Sequence, residues 1–88
     1  MNRIISKLSV NPENKMYLIN NVSVGLSWAI KHEKIKSNKE AFKELKKLHT
    51  EASSLKIPFN YKDINYDDII KALMISDKAI EILKSISF

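Results

Sequence analysis

The sequence predicts an all-α protein, a small antiparallel up-and-down helical bundle of three long helices plus a short N-terminal helix, forming one domain over residues 1–88. Three observations predict it. Apolar residues recur every three or four positions along three stretches, the spacing that lines one helical face. A capping signal precedes each stretch. A single glycine, no Asn-Gly or Asp-Gly dipeptide and no sustained period-two alternation leave nothing from which to build hairpins.

The short N-terminal helix lies before Ser9. The first long helix is expected to start at Asn11-Pro12, because Asn11 can cap free amides and proline at the first helical position lacks only an N–H that has no partner there. Met16, Ile19, Val22, Leu26, Ala29 and Ile30 form its main stripe; Tyr17, Val24, Trp28 and Ile35 form a flanking line, as expected of a central helix with neighbours on more than one side. Gly25, the only glycine, sits within the stripe, where it costs up to about 1 kcal/mol relative to alanine; close approach of a crossing helix explains it better than a hinge.

Ser37-Asn38-Lys39-Glu40 fits the capping-box pattern, and the second long helix follows with Ala41, Phe42, Leu45, Leu48, Ala52 and Leu55 inward, running to Ile57 before Pro58 stops it. Phe59 and Tyr61 belong to a loop expected to fold back on the bundle. Asn65 caps the third long helix, and Asp67 and Asp68 suit the positive end of its dipole. Its stripe reads Ile69, Ile70, Leu73 and Met74, then Ile80, Leu83 and Ile86. Ser76-Asp77 interrupts that stripe, and the spacing favours one continuous helix over a break at Ser76.

Composition narrows the chemistry. With 44% apolar and 28% charged residues the chain is globular in type, and without cysteine it has no disulfides, thiolate metal sites or thiol nucleophile. Glycine loops for phosphate and nucleophile elbows both need glycines that are missing here. His32 and His49 lie on different helices without ligand-like spacing, and helix capping accounts for Asp67 and Asp68; neither set reads as a metal or acid–base site. The expectation is a protein that is not an enzyme and carries no cofactor. No apolar run exceeds the four residues Ala72 to Ile75, too short for a transmembrane helix or a signal peptide, so a cytoplasmic location is expected. Lysine and isoleucine dominate and asparagine is frequent, the usage of an AT-rich genome such as that of a low-GC bacterium or phage.

Charge is uneven. Between Lys31 and Lys47 seven lysines (Lys31, Lys34, Lys36, Lys39, Lys43, Lys46 and Lys47) face Glu33, Glu40 and Glu44, a net of +4 out of +5 for the whole chain. This basic face is the candidate partner-binding surface, suited to nucleic acid, an anionic membrane or an acidic protein. A solvated helix face explains it equally well, since Glu40 and Glu44 lie one turn from Lys43 and Lys47. Trp28, if exposed beside it, is a candidate anchor. A DNA-reading helix-turn-helix is disfavoured: the joint from Ile57 to Asn65 is long and the helix beyond it opens with aspartates.

The stretch from Leu45 to Leu73, with Leu48, Ala52, Lys56-Ile57-Pro58-Phe59, Ile69-Ile70 and Leu73, together with size, helix order and basic charge, resembles the enterocin-A-type immunity proteins of class IIa bacteriocins. The resemblance rests on aliphatic spacing over about half the chain and brings no catalytic motif. It implies a cytosolic antiparallel four-helix bundle that protects its producer through a complex with a sugar-transporting membrane receptor. It also places self-specificity in the C-terminal half, here Ile80, Leu83, Ile86 and Phe88. Beside this immunity reading stand two alternatives: a phage or mobile-element protein that inhibits a host or defence protein by steric binding, and nonspecific nucleic-acid binding through the lysine face. The oligomeric state stays open.

Overall fold

The computed structural model describes residues 3–9, 15–55 and 65–86, all-helical apart from short joints. Among the described residues five helices follow one another: α1 (Arg3–Leu8), α2 (Lys15–Lys31), α3 (Glu33–Lys36), α4 (Lys39–Ser53) and α5 (Tyr66–Ser85). The expected cap at Asn11-Pro12, the stop at Ile57-Pro58, the aromatics Phe59 and Tyr61, the side chains of Met16 and Tyr17, and Phe88 lie outside the described residues.

α2 is the central helix, packing against each of the other four, and α5 packs against α1, α2 and α4. Leu18, Ile19, Val22, Leu26 and Ala29 of α2 meet Ile4 and Leu8 of α1, Ile35 of α3, Leu45, Leu48 and Ala52 of α4, and the inner side of α5 in one core. Leu18 belongs to it although the expected stripe omitted it. Early residues of α4 share a groove with the end of α5, and late residues of α4 with its middle, the order of an antiparallel pair.

Gly25 marks a close crossing, as its place in the stripe suggested. A β-carbon there would stand 2.9 Å from both Cγ and Cδ2 of Leu8, so α1 fits against α2 because no side chain intervenes.

The first long helix ends sooner than expected. At His32 the backbone turns extended (φ −75°, ψ 136°), and the imidazole Nδ1 accepts from the Lys34 amide at 3.2 Å, capping the single turn α3. Ile35 therefore reaches the core from α3 rather than from the flank of α2. The capping box is also displaced. Ser37 is helical and closes α3, its hydroxyl donating to the Lys34 carbonyl, while Asn38 is extended and its Oδ1 accepts from the Ala41 amide at 3.1 Å. Glu40 thus stands second in α4, one place too early to complete a box, though well placed for the helix dipole.

α4 stops at Ser53, short of Ile57. The Ser54 amide reaches the Thr50 and Glu51 carbonyls, and its hydroxyl donates to Glu51 at 2.6 Å. Two adjacent serines, which compete for backbone groups, end the helix. α5 begins as expected, with Asn65 Oδ1 accepting from the Asp67 amide at 3.0 Å, and runs unbroken through Ser76-Asp77.

The inward side of α5 differs from the expected stripe. Ile69, Ala72, Ile75, Ser76, Ala79 and Leu83 are buried, whereas Ile70 and Met74 are exposed and Leu73 is half-buried. Ala72, Ser76 and Ala79 form a small-residue seam that lets neighbouring backbones approach, and this seam sets the rotation of the helix. Ser76 shows how close: its hydroxyl donates to the Leu8 carbonyl, satisfying a group that the end of α1 leaves without a helical partner.

Candidate partner-binding surface

All seven lysines of the predicted basic face are solvent-exposed: Lys31 at the end of α2, Lys34 and Lys36 on α3, and Lys39, Lys43, Lys46 and Lys47 on α4. The break at His32 and the second cap at Asn38 divide this run of charge among three helices. On α4, Lys39, Lys43 and Lys46 follow one another at four and three residues, opposite the buried Ala41, Leu45, Leu48 and Ala52. Lys46 Nζ lies 5.8 Å from the centroid of the half-buried Phe42 ring, within cation–π range. Phe42, Lys43, Lys46, Lys47 and Thr50 line a shallow depression together with Glu40 and Glu44.

The acids of α4 are shared between two surfaces, with Glu40 and Glu44 lining the lysine depression and Glu44 and Glu51 the groove beside α5. Glu44 and Glu51 turn toward α5, where they share a groove with Lys47, Lys78 and Glu81. Lys39 and Lys43, and Lys43 and Lys47, are like charges one turn apart, an arrangement that costs roughly 0.2–0.5 kcal/mol per pair on an isolated helix. Part of that cost is offset because Glu40 precedes Lys43, and Glu44 precedes Lys47, by three residues.

Trp28 is placed elsewhere. It is half-buried against the core, with the Arg3 guanidinium 5.0 Å and the Lys7 ammonium 5.7 Å from its ring centroid. The indole therefore serves the α1–α2 junction, stacked beneath the chain's one arginine. Nothing in its spacing on α2 reveals these partners, because both lie on another helix.

In the C-terminal set, Leu83 is fully buried and Ile80 and Ile86 are half-buried against the core. These side chains shape α5 from within. Sequence reasoning missed the exposed ones: Tyr66 (69% exposed), Ile70 (41%) and Met74 (57%) lie on one side of α5 at four-residue spacing. The signal was the Ala72–Ser76–Ala79 seam, which turns those larger residues outward.

His32 is exposed and caps α3; His49 is half-buried on α4. Among the described residues no group of three or more His, Cys, Asp or Glu side chains is placed to hold a metal ion, and no helix is long and apolar enough to cross a membrane. No buried side-chain nitrogen or oxygen among them lacks a hydrogen-bond partner. What the surface offers is charge and shape. No protein-family model, curated protein or solved structure matches the chain.

Proposed function

We propose that this chain is a non-enzymatic protein-binding module that acts as a cytoplasmic bacteriocin immunity protein, engaging an acidic surface of a membrane-receptor complex at the inner face of the membrane. The observation that carries the binding reading is the exposed row Lys39, Lys43 and Lys46 on α4, which outnumbers the acids Glu40 and Glu44 at its border. Such a row presents an excess of positive charge to a partner, which speeds encounter and selects acidic surfaces. The immunity role is supported by the aliphatic pattern from Leu45 to Leu73 and by the small all-helical fold.

Expression in a bacteriocin-sensitive strain tests the reading. Raised survival against one or a few class IIa peptides is expected; unchanged sensitivity across a panel contradicts the immunity role. A gel shift at low ionic strength separates this reading from nucleic-acid binding, because lysine–phosphate contacts retain duplex DNA there and release it steeply as salt rises. Protection without retention is the expected pair of results.

A further inference from the structure

Tyr66, Ile70 and Met74 are the large apolar side chains that stand exposed among the described residues, and all three lie on α5. Met74, the last of them along the chain, lines the groove between α4 and α5 with the half-buried Leu55 and Ile82. A row of exposed apolar groups that ends at a groove is the form of an interaction surface rather than of scattered surface residues.

The charges around the groove say what fits it. Lys71 stands at one end, Glu51 and Lys78 in the middle, and Glu44, Glu81 and Lys47 toward the other end. A polyanion such as nucleic acid, or an anionic bilayer, would meet acids at one end and in the middle. A second copy turned end for end meets the reverse order: Lys71 faces the end where Glu44 and Glu81 outnumber Lys47, at both ends, and Glu51 faces Lys78 near the axis. We infer that the α4–α5 groove is the interface of a two-fold homodimer, closed by reciprocal Lys71–Glu44 contacts around an apolar strip containing Met74. Such an interface is isologous, the same patch serving both copies.

The area suffices. α5 spans about 30 Å and the helix pair about 20 Å, a projected face of roughly 600 Å² that approaches the ~800 Å² per partner of a standard interface. This inference stands apart from the immunity reading, since the Lys39–Lys43–Lys46 row lies beside the groove.

Sedimentation equilibrium of the whole chain over a concentration series tests it. The wild-type mass is expected to rise from 10.2 kDa toward twice that value, and Met74→Lys and Lys71→Glu to hold it at 10.2 kDa. Lys71 and the Glu44–Glu81 pair stand about 15 Å apart along the groove of one chain, too far to touch. Combining Lys71→Glu with Glu44→Lys and Glu81→Lys therefore restores the dimer only if they meet between chains, and a restored dimer shows that the variants fold. A monomer at every concentration, a dimer indifferent to Met74→Lys, or failure of the combined variant to regain the dimer overturns the proposal.

Discussion

The hydroxyl of Ser76, at the middle of α5, donates to the carbonyl of Leu8 at the end of α1, joining residues 68 apart in sequence inside the core. Ser76 is 2% exposed, so water cannot replace the bond. Ser76→Ala leaves the Leu8 carbonyl buried and unpaired and is expected to cost about 1–3 kcal/mol, the penalty for such a group. Urea denaturation measures this as a lowered midpoint at unchanged slope. A midpoint equal to wild type would mean that α1 does not depend on this contact.

Leu8 meets α2 as well, through Gly25. Gly25→Ala gains up to about 1 kcal/mol of helix propensity, but its methyl would stand 2.9 Å from Leu8 Cγ, and Leu8 is fully buried with little room to retreat. Overpacking of this kind costs typically about 1–3 kcal/mol, so net destabilisation is expected. In the Leu8→Ala background the clash is gone and Gly25→Ala becomes neutral or stabilising. A thermodynamic double-mutant cycle reads this coupling, and additivity of the two changes would disprove the contact.

Much of the fold is legible in the residues because local signals agree with the packing. Asn65 caps where its type and position suggest, Gly25 permits the crossing its place in the stripe implies, and α5 continues through Ser76-Asp77 because Ser76 has a partner for its hydroxyl. Where local signals compete, the sequence misleads. Ser37 and Asn38 are both good caps, and only the extra turn after His32 decides between them. Apolar spacing on α5 weights large side chains, whereas the observed rotation follows Ala72, Ser76 and Ala79. The lysine face was visible as composition, but its division among α2, α3 and α4 depends on the break at His32, a residue type with little capping preference.

The two candidate caps separate cleanly by mutation. Asn38→Ala removes the acceptor for the Ala41 amide and is expected to lower stability by about 1 kcal/mol. Ser37→Ala removes only an exposed hydroxyl bond to the Lys34 carbonyl and is expected to stay within about 0.5 kcal/mol of wild type. Thermal unfolding followed by circular dichroism compares them, and the reverse ranking would restore the capping box to Ser37.

Arg3 and Lys7 share the indole of Trp28. Arg3→Gln removes the nearer cation and is expected to cost about 0.5–1 kcal/mol, the value of an exposed cation–π contact. Because Trp28 is the only tryptophan, its emission reports the change directly, and a shifted spectrum at unchanged helix content is expected. An emission spectrum identical to wild type would place Arg3 away from the ring.

The central claim, that an exposed lysine row on α4 engages the partner, is tested most directly by reversing its charge in the protection assay. Lys39→Glu, Lys43→Glu and Lys46→Glu together leave every buried residue of α4 in place, so the helical spectrum should persist while survival of a bacteriocin-challenged host falls to that of cells lacking the protein. Full protection by a folded triple variant would contradict the account.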